Sequence, residues 1–297
     1  SLHDALPIFQ PTFERGNIGD ALVMLTQIQE LTLQEVSNPT EKKCYSYEFM
    51  TQLAQLTQLR LLDLAGKTTP SSLGELTRLT QLTHLHLNTH ERADVTNVLL
   101  SRLSQLTYLR LTDHIDENTT DILSQYHHLT ELDLRILKNV ESTPYTHFLE
   151  HYKTNAKLQT LSIPYALSQD YFRALTQFEM PSLTSLTLRG RVDRIKSLPP
   201  PQDASLAFAF RTQLLTLILP EALELDWSGL VGLTQLQTLL PPLSAQKKVV
   251  KWLPTSRVSK LYLYKTKSKD RLEVMKILSN HWRQNVSLLE LLASDVQ

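Results

Sequence analysis

Leu82-Thr-His-Leu85-His-Leu87 and Leu106-Thr-Tyr-Leu109-Arg-Leu111 decide the fold of this chain, because both segments follow the pattern L-x-x-L-x-L. The pattern recurs along nearly the whole sequence and weakens towards its end. Its middle residues stand at positions 31, 62, 85, 109, 132, 161, 186, 217, 239, 261 and 289, which are 22 to 31 residues apart. Self-similarity at a period of about 20 to 50 residues is typical of a repeat architecture. We therefore expect one structural unit to recur about eleven times.

The L-x-L part of the pattern predicts a strand in each repeat. Side chains at alternate strand positions point to opposite faces, so the leucines enter the core and the residues between them face solvent. Parallel strands need a crossover connection, and the segments between the strands carry helix signals. Thr143-Pro144 predicts one helix start, Ser72 and Glu75 have the spacing of a capping box, and Asn118 is expected to begin another helical turn.

The repeats resemble those of the leucine-rich-repeat family. The resemblance implies an α/β fold: a right-handed leucine-rich-repeat solenoid, or horseshoe, with a concave parallel sheet, convex helices and about eleven repeats. One family feature is absent, since the usual Asn or Cys position is occupied by Val36, Lys67, His90, His114, Leu137 and Ala166. The chain is therefore more similar to irregular, helix-backed arrays of the ribonuclease-inhibitor-like or F-box-associated kind.

The start of the chain differs in character from the repeats. Residues 3–8, His-Asp-Ala-Leu-Pro-Ile, resemble the translation of a common short-read library adapter. We therefore expect residues 1–8 to be a non-native or disordered start, and residues 9–297 to form a single leucine-rich-repeat domain cut from a longer protein. Cys44 is the only cysteine, so an internal disulfide is excluded and an intracellular, cytoplasmic setting is favoured.

Charge and hydropathy limit the possible partners. The thirty basic and thirty acidic residues cancel, so the chain lacks a global field for nucleic acid or lipid headgroups. No apolar run approaches the roughly 18 residues of a membrane span. From Leu243 to Gln297, however, the sequence contains eleven Lys or Arg and only four Asp or Glu, which gives this segment a formal charge of +7. This end is either a solvated basic surface or a patch for an acidic partner.

The register of the leucines places charged and aromatic side chains at the centre of the predicted strand face. Eight residues on the second to fifth strands are candidates for binding a partner: Asp63, His84, His86, Tyr108, Arg110, Glu131, Asp133 and Arg135. The middle column consists of Asp63, His86, Arg110 and Asp133, about 4.8 Å apart from strand to strand. The column is either a mutually satisfied charge ladder or a binding patch anchored by Tyr108 and Arg110, which belong to favoured hot-spot types.

Metal binding and catalysis receive less support from the sequence. His84 and His86 share a strand face near Asp63, which suits a metal chemically, but no further ligand can be assigned. A role within the polar face is therefore favoured over a metal site. Cys44 lies in a connector with no nearby histidine, and no phosphate-binding glycine motif occurs. We expect no catalytic residue, no cofactor and no enzymatic activity.

The function predicted from the repeats is that of a non-enzymatic scaffold that recognises a macromolecule, expected to be a protein, on its concave face. Such a scaffold would act as an adaptor, sensor or substrate-receptor module, because repeat proteins use extended curved surfaces in this way. The alternative is a fragment of a larger enzyme or a regulator of one, such as a ubiquitin ligase or a GTPase-activating protein. An inert spacer is a third possibility. Neither a membrane nor nucleic acid is expected as a partner.

Overall fold

The computed structural model describes part of the chain. The described residues are 27–34, 45–65, 70–88, 93–112, 115–135, 143–152, 156–164, 169–177, 180–189, 212–220, 223, 230, 232–241, 257–263 and 288–291. The chain divides into two compact units, residues 1–139 and 140–297, and each is described by itself. The expected non-native start, residues 1–8, lies outside the described residues, and the single domain over 9–297 stays a prediction.

Five parallel strands form the sheet of the first unit. They are β1 (Glu30–Gln34), β2 (Leu61–Ala65), β3 (His84–Asn88), β4 (Tyr108–Thr112) and β5 (Glu131–Arg135), each paired with the next in chain order. The connections are helical: α1 (Tyr47–Leu53), α2 (Pro70–Leu73) with a 3-10 turn (Gly74–Arg78), α3 (Ala93–Leu100) and α4 (Glu117–Ser124).

The second unit repeats this organisation. It contains α5 (Thr143–His151), β6 (Thr160–Pro164), α6 (Gln169–Gln177), β7 (Ser185–Arg189), β8 (Thr216–Ile218), β9 (Thr238–Leu240), β10 (Lys260–Leu263) and β11 (Leu288–Leu291). Its six strands are also parallel and pair in chain order. None of the described helices is both long enough and apolar enough to cross a membrane.

The leucines of the repeat set the register of both sheets. In the first unit Leu31, Leu62, Leu85, Leu109 and Leu132 lie side by side, and in the second Leu161, Leu186, Leu217, Leu239, Leu261 and Leu289 do. Those with described side chains are buried, and burial of a leucine contributes about 1.5–3 kcal/mol. The predicted strands, their register and the α/β leucine-rich-repeat fold are thus confirmed.

The described helices bury most of their apolar residues. The start predicted at Thr143-Pro144 is confirmed, because α5 begins at Thr143. The side chains of Tyr145, Phe148 and Leu149 are fully buried, as the periodicity predicts. Each buried aromatic side chain removes a large apolar area from water.

Two helix starts differ from the prediction. The helix α2 begins at Pro70, so Ser72 lies inside it, fully buried, and not at its N-cap. The cap of α4 is Asp116 rather than Asn118: its carboxylate accepts from the Thr119 amide at 2.7 Å, and the Thr119 hydroxyl completes the box. The predicted helix is therefore present, and Asn118 lies within its first turn.

Threonine hydroxyls take the place of the missing asparagine ladder. A threonine precedes four of the strands, and its Oγ1 donates to a backbone carbonyl of the preceding repeat. These bonds join Thr83 to Arg60 at 3.2 Å, Thr107 to Thr83 at 3.1 Å, Thr130 to Thr107 at 3.0 Å and, in the second unit, Thr184 to Gln159 at 3.3 Å. Each bond ties one repeat to its neighbour at the beginning of the strand.

Candidate functional site

The strand face of the first unit brings the candidate residues into columns that run across the sheet. The first column is Leu61, His84, Tyr108 and Glu131, and the middle column is Asp63, His86, Arg110 and Asp133. Arg135 stands in the third column, opposite Thr112. We call the eight candidate residues on strands β2 to β5 the strand-face cluster. The backbone register therefore places them as the sequence predicts.

One pair in the cluster joins β2 to β3. His86 Nδ1 lies 2.7 Å from Asp63 Oδ1. Both atoms are shielded from solvent, and neither has a hydrogen-bond partner with suitable geometry in the part of the chain that the structure describes. The two side chains therefore lie in close contact between β2 and β3 without a well-aligned hydrogen bond.

A second group links β4 and β5 through one carboxylate. Asp133 Oδ2 accepts from Arg110 Nε at 2.9 Å and from Arg135 Nε at 2.9 Å, and Arg135 Nη2 lies at the same distance. The side chain of Asp133 is only 11% exposed, against about a third for each arginine. Charge-assisted bonds from two guanidinium groups compensate for the desolvation of the carboxylate. The two arginines are thus fixed in place without a ligand.

Tyr108 lies between the two groups and has ring contacts on two sides. Its ring stacks on His84 with centroids 5.8 Å apart, and the guanidinium carbon of Arg110 lies 5.8 Å from the ring centroid. Partial burial raises the pKa of the Tyr108 phenol; Arg110 opposes the rise, and Asp133 adds to it. The hydroxyl is therefore neutral and able both to donate and to accept a hydrogen bond.

Thr83 contacts His84, the residue that stacks on Tyr108. The Thr83 hydroxyl lies 2.9 Å from His84 Nδ1. This contact orients the His84 ring. Glu131 is exposed at the end of the first column, next to Tyr108 in the register. The cluster thus consists of two ordered polar groups around one aromatic side chain.

Several residues expected to face solvent are in fact buried. Asp133 is 8% exposed, Ser162 4% and Thr187 8%. For two of these residues the cause is the reach of nearby arginines: Arg110 from the adjacent strand and Arg135 from the same strand contact Asp133, and Arg189 Nε donates to Ser162 Oγ at 2.7 Å. A short polar residue beside such arginines is shielded although its side chain points to the solvent face.

The structure separates the roles of His84 and His86. One ring packs on Tyr108 and the other contacts Asp63. Across the described residues, no group of three or more His, Cys, Asp or Glu is arranged to hold a metal ion. Cys44 lies outside the described residues, and so does most of the basic segment after Leu243.

Comparison with known proteins supports the fold only. The sequence matches no family model and no curated protein. Among solved structures, the complex of Rad7 and Elc1 from yeast is similar with a TM-score of 0.60 and 19% identity, over 94% of this chain and 75% of that chain. An internalin from Listeria monocytogenes has a TM-score of 0.43 and 16% identity, over 95% of this chain and 91% of that chain. A leucine-rich-repeat protein from Leptospira interrogans has a TM-score of 0.27 and 14% identity, over 95% of this chain and 93% of that chain.

Proposed function

We propose that this chain is a non-enzymatic scaffold that binds a protein partner on the strand-face cluster. The observation that carries the proposal is the ordered setting of Tyr108, which stacks on His84 and lies beside Arg110 while Asp133 holds that arginine. Binding normally incurs a free-energy cost for immobilising side chains, and anchors that are already ordered reduce this cost. Tyrosine and arginine are also the residue types most often found at interface hot spots.

The shape of the site favours a macromolecule over a small metabolite. The cluster lies on one face of a sheet, whereas small-molecule sites are mostly concave, apolar pockets. A sheet of parallel strands with side chains in fixed columns offers extended contact area. The similar structure from yeast is described as a complex of two proteins, which supports a protein partner for a chain of this architecture.

The test is a capture experiment with three versions of the full chain as bait. The first is the wild type, the second carries Tyr108→Ala and Arg110→Ala, and the third carries Tyr47→Ala and Arg102→Ala. The third is a matched control of the same composition, because Tyr47 and Arg102 are exposed on the helical side of the first unit. Proteins enriched from an extract of the source cells are quantified by mass spectrometry.

We expect a set of proteins to be retained by the wild type and the control but lost from the strand-face variant. For the purified partner, the affinity of the strand-face variant should fall by more than about tenfold, since truncation of a hot spot costs about 2 kcal/mol or more. Equal enrichment by all three baits would contradict the proposal, as would loss from the control alone.

A further inference from the structure

Two arginines of the strand-face cluster share one carboxylate, so their positive charge exceeds the negative charge that holds them. Arg110 on β4 and Arg135 on β5 each lie 2.9 Å from Oδ2 of Asp133. An arginine side chain does not lose its proton in a protein. Two guanidinium cations against one carboxylate leave one positive charge without a counter-charge inside this group. The group therefore favours an anion as its ligand.

The arginines also keep hydrogen-bond donors for that anion. Arg110 contacts Asp133 through Nε, and its two Nη groups have no hydrogen-bond partner among the residues that the structure describes. About a third of each arginine side chain is exposed. The donors of a guanidinium group match the two oxygens of a carboxylate in a bidentate pair. Because Asp133 already holds Arg110, these donors are oriented before a ligand arrives.

Tyr108 places a neutral hydroxyl group in the same region. Its ring centroid lies 5.8 Å from the guanidinium carbon of Arg110. Burial is the main cause that raises the pKa of the Tyr108 phenol, and smaller effects come from the charges of Arg110, Asp133, Glu131 and Arg135. The phenol thus lies in the field of both arginines and keeps its proton at neutral pH. A ligand at Arg110 is therefore close to a neutral hydrogen-bond donor as well as to the guanidinium group.

Acidic neighbours limit the charge that this ligand can carry. Glu131 is exposed and stands beside Tyr108 in the first column. Asp63 is two strands away from Arg110 and contacts His86. A phosphate group carries a charge of about −1.5 to −2 at neutral pH, which exceeds the single uncompensated positive charge and would be repelled by Glu131. A carboxylate carries one negative charge, so it fits the group better than a phosphate does.

We propose that the protein partner binds the strand-face cluster through an acidic segment, in which one aspartate or glutamate carboxylate accepts hydrogen bonds from the Nη groups of Arg110. Arg135 supplies the second positive charge, and Asp133 remains the fixed counter-charge of both arginines. The stacked rings of His84 and Tyr108 offer an apolar surface for the residue next to that carboxylate. This inference rests on the proposed scaffold function and adds the chemistry of the partner to it.

The experiment selects short random peptides, displayed on phage, for binding to the full chain. Retained peptides are synthesised with a fluorescent label, and their affinities are measured by fluorescence polarisation. Each peptide is compared with versions in which one acidic residue is replaced by its amide or by phosphoserine. The protein variants are Arg110→Gln and Glu131→Gln, and the matched control is Arg102→Gln, which changes another exposed arginine. Circular dichroism verifies that every variant is folded.

We expect one acidic position of the peptide to be essential, so that its amide version binds the wild type about tenfold more weakly. Arg110→Gln should weaken the parent peptide to the same extent. It should change the affinity of the amide version by less than about twofold, because both changes remove the same contact. Glu131→Gln should strengthen the parent peptide by about two- to fivefold, since it removes a neighbouring like charge. Arg102→Gln should leave the affinity unchanged.

Three results would overturn this inference but not the scaffold function. They are selection of no peptide, tighter binding of the phosphoserine version than of the parent, and peptides that need Tyr108 and Arg110 but tolerate neutralisation of every acidic residue. Failure of the scaffold function has a different signature. In that case the selected peptides would bind the variant with Tyr108→Ala and Arg110→Ala as tightly as the wild type, and both proposals would be wrong.

Discussion

Asp133 shows how a single residue can organise the strand face. Its carboxylate is almost fully covered, yet two guanidinium groups bond to the same oxygen. Removal of one partner from such a group is unfavourable, because the remaining charges lose both their counter-charge and their hydration. In the proposed function, Asp133 acts by holding Arg110 beside Tyr108 and not by touching the partner.

The substitution Asp133→Asn removes the charge but keeps the size of the side chain. We expect the free energy of unfolding to fall by about 1.5–3 kcal/mol, the range for hydrogen bonds to charged groups. The loss should lie towards the lower end of this range, because the arginines remain partly solvated. The measurement is urea-induced unfolding followed by circular dichroism. The control is Asp170→Asn, whose contact with Arg173 is 3.4 Å long and whose side chain is 74% exposed. It should cost less than about 1 kcal/mol, and equal costs for both variants would contradict the assignment.

At the scale of the element, α4 depends on one N-terminal cap. Asp116 Oδ1 accepts from the Thr119 amide, the Thr119 hydroxyl and Asn97 Nδ2 at 2.7, 2.7 and 3.0 Å. Burial opposes ionisation of this carboxyl group, but the hydrogen bonds together outweigh it and lower the pKa of Asp116 below its ordinary value of 3.8. The bond from Asn97 also connects the cap to α3.

Replacement of the cap gives a prediction with a defined pH dependence. Asp116→Ala should reduce the free energy of unfolding by about 1 kcal/mol at neutral pH, as is typical for loss of an N-cap. Because the pKa of Asp116 is lower in the folded state, its contribution is present above pH 3.8 and is lost as the pH falls through the folded-state pKa. The difference between wild type and variant should therefore shrink in acid.

Denaturant unfolding between pH 7 and pH 2 measures this difference. The control is Asp121→Ala, which removes an exposed carboxylate from the body of the same helix. Surface changes of this kind usually stay within about 0.5 kcal/mol. A difference between wild type and Asp116→Ala that does not change with pH would show that the ionised carboxylate is not what stabilises the helix.

Across the whole molecule, the features predicted best are those that one repeat imposes on every other repeat. The alternation of leucines requires strands, a shared register and a buried row, and all three are present in both units. The short helix α1 was not predicted, although Ser46 is a suitable cap and accepts from Phe49 at 3.1 Å. Seven residues form too few turns for periodicity alone to distinguish a helix from a loop.

Contacts between repeats were the hardest features to predict. The burial of Asp133 and Ser162 depends on arginines that extend from neighbouring positions, and side-chain reach is not visible in a pattern of leucines. The threonine ladder did leave a signal, because threonine follows the first leucine of the pattern at positions 83, 107, 130 and 184. Only the structure shows that each of these hydroxyls bonds to the preceding repeat.

Because each repeat in an array contacts mainly its neighbours, damage to one core leucine should spread to the strands on either side. Leu109 is fully buried and lies between Leu85 and Leu132 in the register. We expect Leu109→Ala to lower the free energy of unfolding by about 2–5 kcal/mol, as for other large-to-small changes in protein cores. Hydrogen exchange should also accelerate in β3 and β5, the strands that pair with β4.

The control is Val98→Ala on α3, where the side chain is 58% exposed, and its cost should stay within about 0.5 kcal/mol. Faster exchange confined to β4, or a similar cost for both variants, would show that the leucine row does not couple neighbouring repeats.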